Sequence, residues 1–119
     1  MITFEALASG SADIQFEPFL VDLEGVSEPV QVQRFSCFEW EVFASFDRED
    51  DDYVYKQNYR AMTGDLRPEG PDDLNTDVLA EKIAVLKKRF TVRQMLDLFK
   101  KVYVLNGVGE QSIGDAEKK

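Results

Sequence analysis

The segment Phe35-Ser36-Cys37-Phe38-Glu39-Trp40 constrains this chain more tightly than any other stretch in it. Ser36 as N-cap puts Glu39 at the third helical position. The serine hydroxyl can then accept from the Glu39 amide while the Glu39 carboxylate reaches back to the Ser36 amide, and Phe35 is set against Trp40 across the first turn. A helix therefore starts at Cys37. The same arrangement recurs later, where Thr91 and Gln94 form a second capping box flanked by Phe90 and Met95. Local chemistry alone fixes these two helix starts, and the other elements must fit around them.

Upstream of Ser36 the pattern is alternation. Ile14 and Phe16, then Phe19, Val21 and Leu23, form a run that Pro18 breaks, which suits an edge strand. Residues 24–29 carry turn chemistry, and Val30 to Phe35 alternates again. The two runs read as a β-hairpin with a loop longer than the tightest types. The helix after Ser36 is expected to present Phe38, Val42 and Phe46 on one face, with Phe43 beside them.

A further helix from Asp47 or Asp50 carries Tyr55, Tyr59 and Met62 on one side and stops at Gly64. The acidic run Glu49 to Asp52 suits its N-terminal turn. Pro68, Gly70 and Pro71 mark a loop, after which Asn75 or Thr76 can cap a helix with the apolar stripe Leu79, Ile83, Leu86 and Phe90. The last helix shows Val92, Met95, Leu96, Phe99, Val102 and Tyr103 on one side and ends at Asn106-Gly107, although Val102 to Leu105 alone would also suit a short strand. The expected fold class is α+β: an N-terminal β-hairpin followed by about four α-helices. Residues 1–13 read as a flexible leader, 14–107 as a single domain, and 108–119 as a disordered, flexible C-terminal tail.

A chain of 119 residues with 44% hydrophobic side chains and nine Phe can bury one real core. Its net charge of −9 is unevenly placed: residues 1–73 hold 17 acidic and 5 basic side chains, residues 74–119 hold 6 and 9. That distribution argues against a nucleic-acid ligand, which needs a positive footprint, and against anionic membranes. It suits head-to-tail association or a basic protein partner. With no secretory signal at Met1 to Ala8 and no apolar run near the ~20 residues that cross a bilayer, the expectation is a soluble, intracellular protein.

Chemistry is sparse. The chain has no histidine, which removes the commonest general base and zinc ligand, and one cysteine, Cys37, which reads as a small apolar residue beside Phe38. Setting Asp47, Glu49 and Asp51 at positions 1, 3 and 5 of a calcium loop leaves Asp52 where glycine is required and Asn58 where a bidentate Glu is required. Gly107-Val108-Gly109 follows a helix and lacks the lysine of a phosphate loop. No catalytic, cofactor-binding or metal-binding residue is assigned, and the chain reads as a non-enzyme. Aromatic residues are the remaining resource. Phe35, Phe38, Trp40, Phe43 and Phe46 cannot all face one core, so one or two, with Trp40 and Phe43 foremost and Tyr55 and Tyr59 beside them, are expected to form a protein-binding patch. A homo-oligomer built through that patch is equally compatible.

The order of parts resembles the tail assembly chaperones of long-tailed bacteriophages. The likeness is carried by the hairpin on Phe19-Leu20-Val21-Asp22-Leu23 and Val30-Gln31-Val32, the capped helix at Ser36, the ending Val102 to Gly107 and a charged tail. It covers about residues 14–119 in layout, size and acidity, with no diagnostic motif. The resemblance implies a non-enzymatic protein of the host cytoplasm that coats the tape-measure protein, keeps it soluble and gives way to tail-tube proteins. A frameshifted longer form is known in the family, and Ala116-Glu117-Lys118-Lys119 fits slippery codons. Two alternatives stand beside it: an acidic DNA-mimic inhibitor of a host nucleic-acid-binding protein, suggested by Asp50-Asp51-Asp52, and a structural tail or head-completion subunit.

Overall fold

Both capping boxes form. In the computed structural model, which describes residues 1–66 and 76–107 (and no side chain of 76–78), Glu39 N–H donates to Ser36 Oγ at 3.1 Å and Ser36 N–H to Glu39 Oε1 at 2.9 Å. Thr91 and Gln94 repeat the exchange at 3.1 and 2.9 Å. These boxes open α2, Cys37–Ala44, and α5, Val92–Leu105. The expected cap at Asn75 or Thr76, the Pro68-to-Pro71 loop and the tail 108–119 lie outside the described residues.

The fold is α+β. Strands β1, Phe19–Val21, and β2, Val30–Val32, pair antiparallel with Phe19 opposite Val32 and Val21 opposite Val30. Alternation turns Val21, Val30 and Val32 inward and leaves Leu20 and Gln31 on the outer face. Ile14 and Phe16, expected in the first strand, precede it and are exposed. After α2 come α3, Tyr53–Thr63, α4, Thr76–Arg89, and α5.

One core cluster joins Val21, Leu23, Val30 and Val32 of the hairpin region to Phe43, Ala61, Leu86, Met95, Leu98 and Val102 of the four helices. A smaller one forms where Leu79 and Ile83 of α4 meet Tyr55 and Tyr59 of α3.

Residues 1–13, read as a flexible leader, contain a short helix, α1, Phe4–Ser9. Thr3 caps it by accepting from Ala6 N–H, and Gly10 ends it at φ 80°, a left-handed conformation glycine takes without a Cβ penalty. Three expectations need correction. In α2 the buried ring is Phe43, whereas Phe38 is 72% exposed. That helix has apolar residues all round, with Glu39 and Glu41 on nearly opposite sides, so spacing selects no face, and the rings packed around Phe43 decide it. The helix after the acidic run starts only at Tyr53; Asp47 and Asp50 instead accept from the Glu49 and Asp52 amides in successive turns. In α5 the inward residues are Met95, Leu98 and Val102, while Val92 and Leu96 are exposed. Val102 to Leu105 are helical, with Asn106 as C-cap and Gly107 at φ 89°.

Candidate protein-binding surface

The aromatic residues expected to meet a partner are mostly part of the body. Phe43 is fully buried, 5.2 Å from both the Phe35 and Trp40 ring centroids, so the expectation that it faces a partner is overturned. Trp40 is half-buried and stands edge-on to Tyr103 at 5.0 Å, an arrangement that places a positive ring edge on a negative face. Phe99 and Tyr53 extend the cluster, and the Tyr53 and Tyr103 hydroxyls lie 3.1 Å apart. Burial, reinforced by the Tyr53 hydroxyl, pushes the Tyr103 phenol well above its ordinary range. Tyr55 and Tyr59 are half-buried against Leu79 and Ile83, and the Lys87 ammonium sits 4.9 Å from the Tyr55 ring centroid. The structure thus brings Trp40 to Phe43 and Tyr55 to Tyr59 as two packing groups.

Behind these rings α3 carries buried polar side chains that the pattern of apolar residues did not signal. Gln57 Nε2 donates to Phe43 O at 2.8 Å, and Asn58 Nδ2 to Met95 O at 3.0 Å, so α3 is tied to α2 and α5 by side-chain amides. Arg60 donates from Nη1 to Gln57 Oε1 at 2.8 Å and stacks 3.5 Å from the Phe46 ring centroid. Burial lowers the Arg60 pKa to about 10. Gln57 and Asn58 thereby lock α3 to its neighbouring helices.

The apolar side chains that do stand in water are elsewhere. Phe4 is 79% exposed on α1, Leu20 69% on β1 and Phe38 72% on α2, with Leu7, Ile14 and Phe16 also exposed. Residues 1–33, which carry all of these except Phe38, contain six carboxylates and no Lys or Arg. In the acidic run, by contrast, Asp50 is paired with Lys56, and Asp52 with Lys87 at 2.9 Å. The Lys56 ammonium holds the Asp50 carboxyl below its usual range.

A second apolar feature is an open groove of about 790 Å³ between the hairpin loop and the first half of α5. Leu96 and Phe99 line it, with Arg93 and Lys100 among the charged residues on its walls. Its geometry is held by Gln94, whose Nε2 donates to Glu24 O at 2.8 Å while its Oε1 caps α5, and by Lys101, which donates to Asp22 O at 2.8 Å. Gly25 at φ 82° is needed there, since a Cβ would lie 3.0 Å from Gln94 Nε2.

Among the described residues no helix is long and apolar enough to cross a membrane. No protein family, curated protein or solved structure matches the chain.

Proposed function

We propose that this chain is a non-enzymatic tail assembly chaperone of a long-tailed bacteriophage, which holds apolar helical segments of the tape-measure protein until tail-tube proteins displace it. The observation that supports this most is the pairing of exposed Leu20 and Phe38 with an N-terminal region that carries no basic side chain before Arg34. Exposed apolar side chains give contacts that form and release without covalent chemistry. The six carboxylates of residues 1–33 and the net charge of −9 keep unoccupied copies apart in solution. The DNA-mimic reading has less support, because the Asp50 and Asp52 carboxylates are neutralised within the fold by Lys56 and Lys87.

Co-expression with tagged tape-measure segments tests the reading. The chain is expected to be retained with a segment and to keep it soluble in high salt, and the Leu20→Asp, Phe38→Asp double variant to lose both properties with unchanged helical circular dichroism. Failure of the native chain to retain any segment, or salt-sensitive capture of a basic nucleic-acid-binding protein instead, would overturn it.

A further inference from the structure

We propose that Asn106 is a fold-gated deamidation site. While the C-terminal cap of α5 is closed, the Asn106 side chain is kept from cyclising onto the Gly107 nitrogen; when the cap opens, the reaction runs. Conversion then cuts the tie between α5 and the segment that joins β2 to α2. Of the three asparagines, Asn58, Asn75 and Asn106, Asn106 alone precedes a glycine. Glycine brings no side chain to crowd the attack of its own nitrogen on the neighbouring carboxamide. The junction also lies at the surface, with Gly107 exposed and Val104 and Leu105 before it standing partly in water. Chain at such a helix end opens at a lower free energy than the core does.

Closed, the cap holds each reacting group out of place. Asn106 Nδ2 donates to Val102 O at 3.0 Å and Oδ1 accepts from Phe35 N–H at 3.0 Å, so the carboxamide is pinned at both ends. The Gly107 N–H is itself engaged, donating to Val104 O at 3.0 Å. At ψ 12° the Asn106 backbone turns that nitrogen away from the side of Cα that bears Cβ, whereas ring closure needs the two on the same side.

Once the cap opens, the Gly107 nitrogen attacks Asn106 Cγ. The Cγ–Nδ2 bond breaks, ammonia leaves with the Gly107 amide proton, and a succinimide ring joins the two residues. Water, the one co-reactant, then opens the ring. Cleavage of the bond to Cγ gives an aspartate. Cleavage of the bond to the backbone carbonyl gives an isoaspartate, whose main chain runs through Cβ and Cγ. The aspartate puts a carboxylate oxygen, which only accepts, where Nδ2 had donated to Val102 O. Its new negative charge also falls at the negative end of the α5 dipole. The isoaspartate in addition displaces the acceptor of the Phe35 amide, because the former side-chain carbonyl now belongs to the backbone. Either way the closed cap cannot be rebuilt as it was. No partner is needed, and the site stands apart from the chaperone reading.

Peptide mapping of the full chain by mass spectrometry, after incubation at mildly alkaline pH with and without denaturing urea, tests the gate. In urea, Asn106 should convert faster than Asn58 or Asn75 and give both aspartate and isoaspartate. In buffer alone its conversion should be slower by about tenfold or more. The converted fraction, which its extra charge separates on anion exchange, should melt below the native chain, and its isoaspartyl component should exchange the Phe35 amide faster. Equal rates with and without urea refute the gate. Conversion in urea that is no faster at Asn106 than at the other two asparagines removes the site. A converted fraction with native melting and native Phe35 exchange removes its consequence for the α5 tie.

Discussion

The side-chain amide of Asn58 on α3 donates to the backbone carbonyl of Met95 on α5 at 3.0 Å, and both residues are sealed from solvent. A buried amide of this kind is costly to leave unmatched, so it ties the two helices at one position. Asn58→Ala removes the bond and leaves a void, and the expected loss is about 2–3 kcal/mol, measured by urea unfolding.

Phe43 and Phe38 make opposite predictions from neighbouring positions. Phe43→Ala empties the centre of the aromatic cluster and should cost about 3–5 kcal/mol. Phe38→Ala, at an exposed site, should stay within about 0.5 kcal/mol. Equal effects in thermal unfolding would contradict the packing of α2.

Ser36→Ala and Thr91→Ala each remove one side-chain acceptor at a helix start and should each cost about 1 kcal/mol. Chemical denaturation measures both.

Gly25→Ala forces a positive φ on a residue with a Cβ and crowds Gln94, so the expected cost is about 1 kcal/mol or more. The Glu24–Gln94 link should weaken with it, visible as a shift of the Gln94 side-chain amide in NMR.

Acid sensitivity follows from Asp50. Its carboxyl is held down chiefly by the hydrogen bond from Lys56, so the unfolded chain binds that proton more readily than the folded one. The stabilisation is therefore full above the ordinary carboxylate pKa of 3.8 and is lost as pH falls through the lower folded value. Asp50→Asn should flatten the acid limb of a stability–pH profile and lower neutral-pH stability by less than about 1 kcal/mol, since the pair is partly exposed.

What could be read from the chain was local. The capping boxes at Ser36 and Thr91, the hairpin, and the stops at Gly64 and Asn106-Gly107 depend on neighbours within a few residues, and the α4 stripe has a single clear face. The facing of α2 was not legible, because Phe38, Trp40, Val42 and Phe43 are spread round the helix and Glu39 and Glu41 fall on nearly opposite sides, so no single polar face turns outward. Gln57, Asn58 and Arg60 were missed because polar residues read as solvent-facing until their partners on other elements are known. Helix α1 was hidden by the Gly-Ser stretch after it, although Thr3 and Gly10 carried its caps. For the candidate surface, aromatic density pointed to Trp40, Phe43, Tyr55 and Tyr59, yet large rings are what a small core consumes first. Phe4, Leu20 and Phe38 are among the large apolar side chains that stand in water instead.

The last helix fastens the first hairpin. Gln94 reaches Glu24, Lys101 reaches Asp22, and Asn106 accepts from the Phe35 amide at 3.0 Å, so each tie joins residues some seventy or more positions apart. During synthesis β2 can meet α3 early, through Gln33 N–H and Ala61 O. The three ties to α5 are complete only when Asn106 has left the ribosome, and until then Val21, Val30 and Val32 have only part of their cover. Nascent chains stalled before α5 should therefore be open to protease attack around the hairpin, with resistance arriving in one late step when the final turn of α5 emerges.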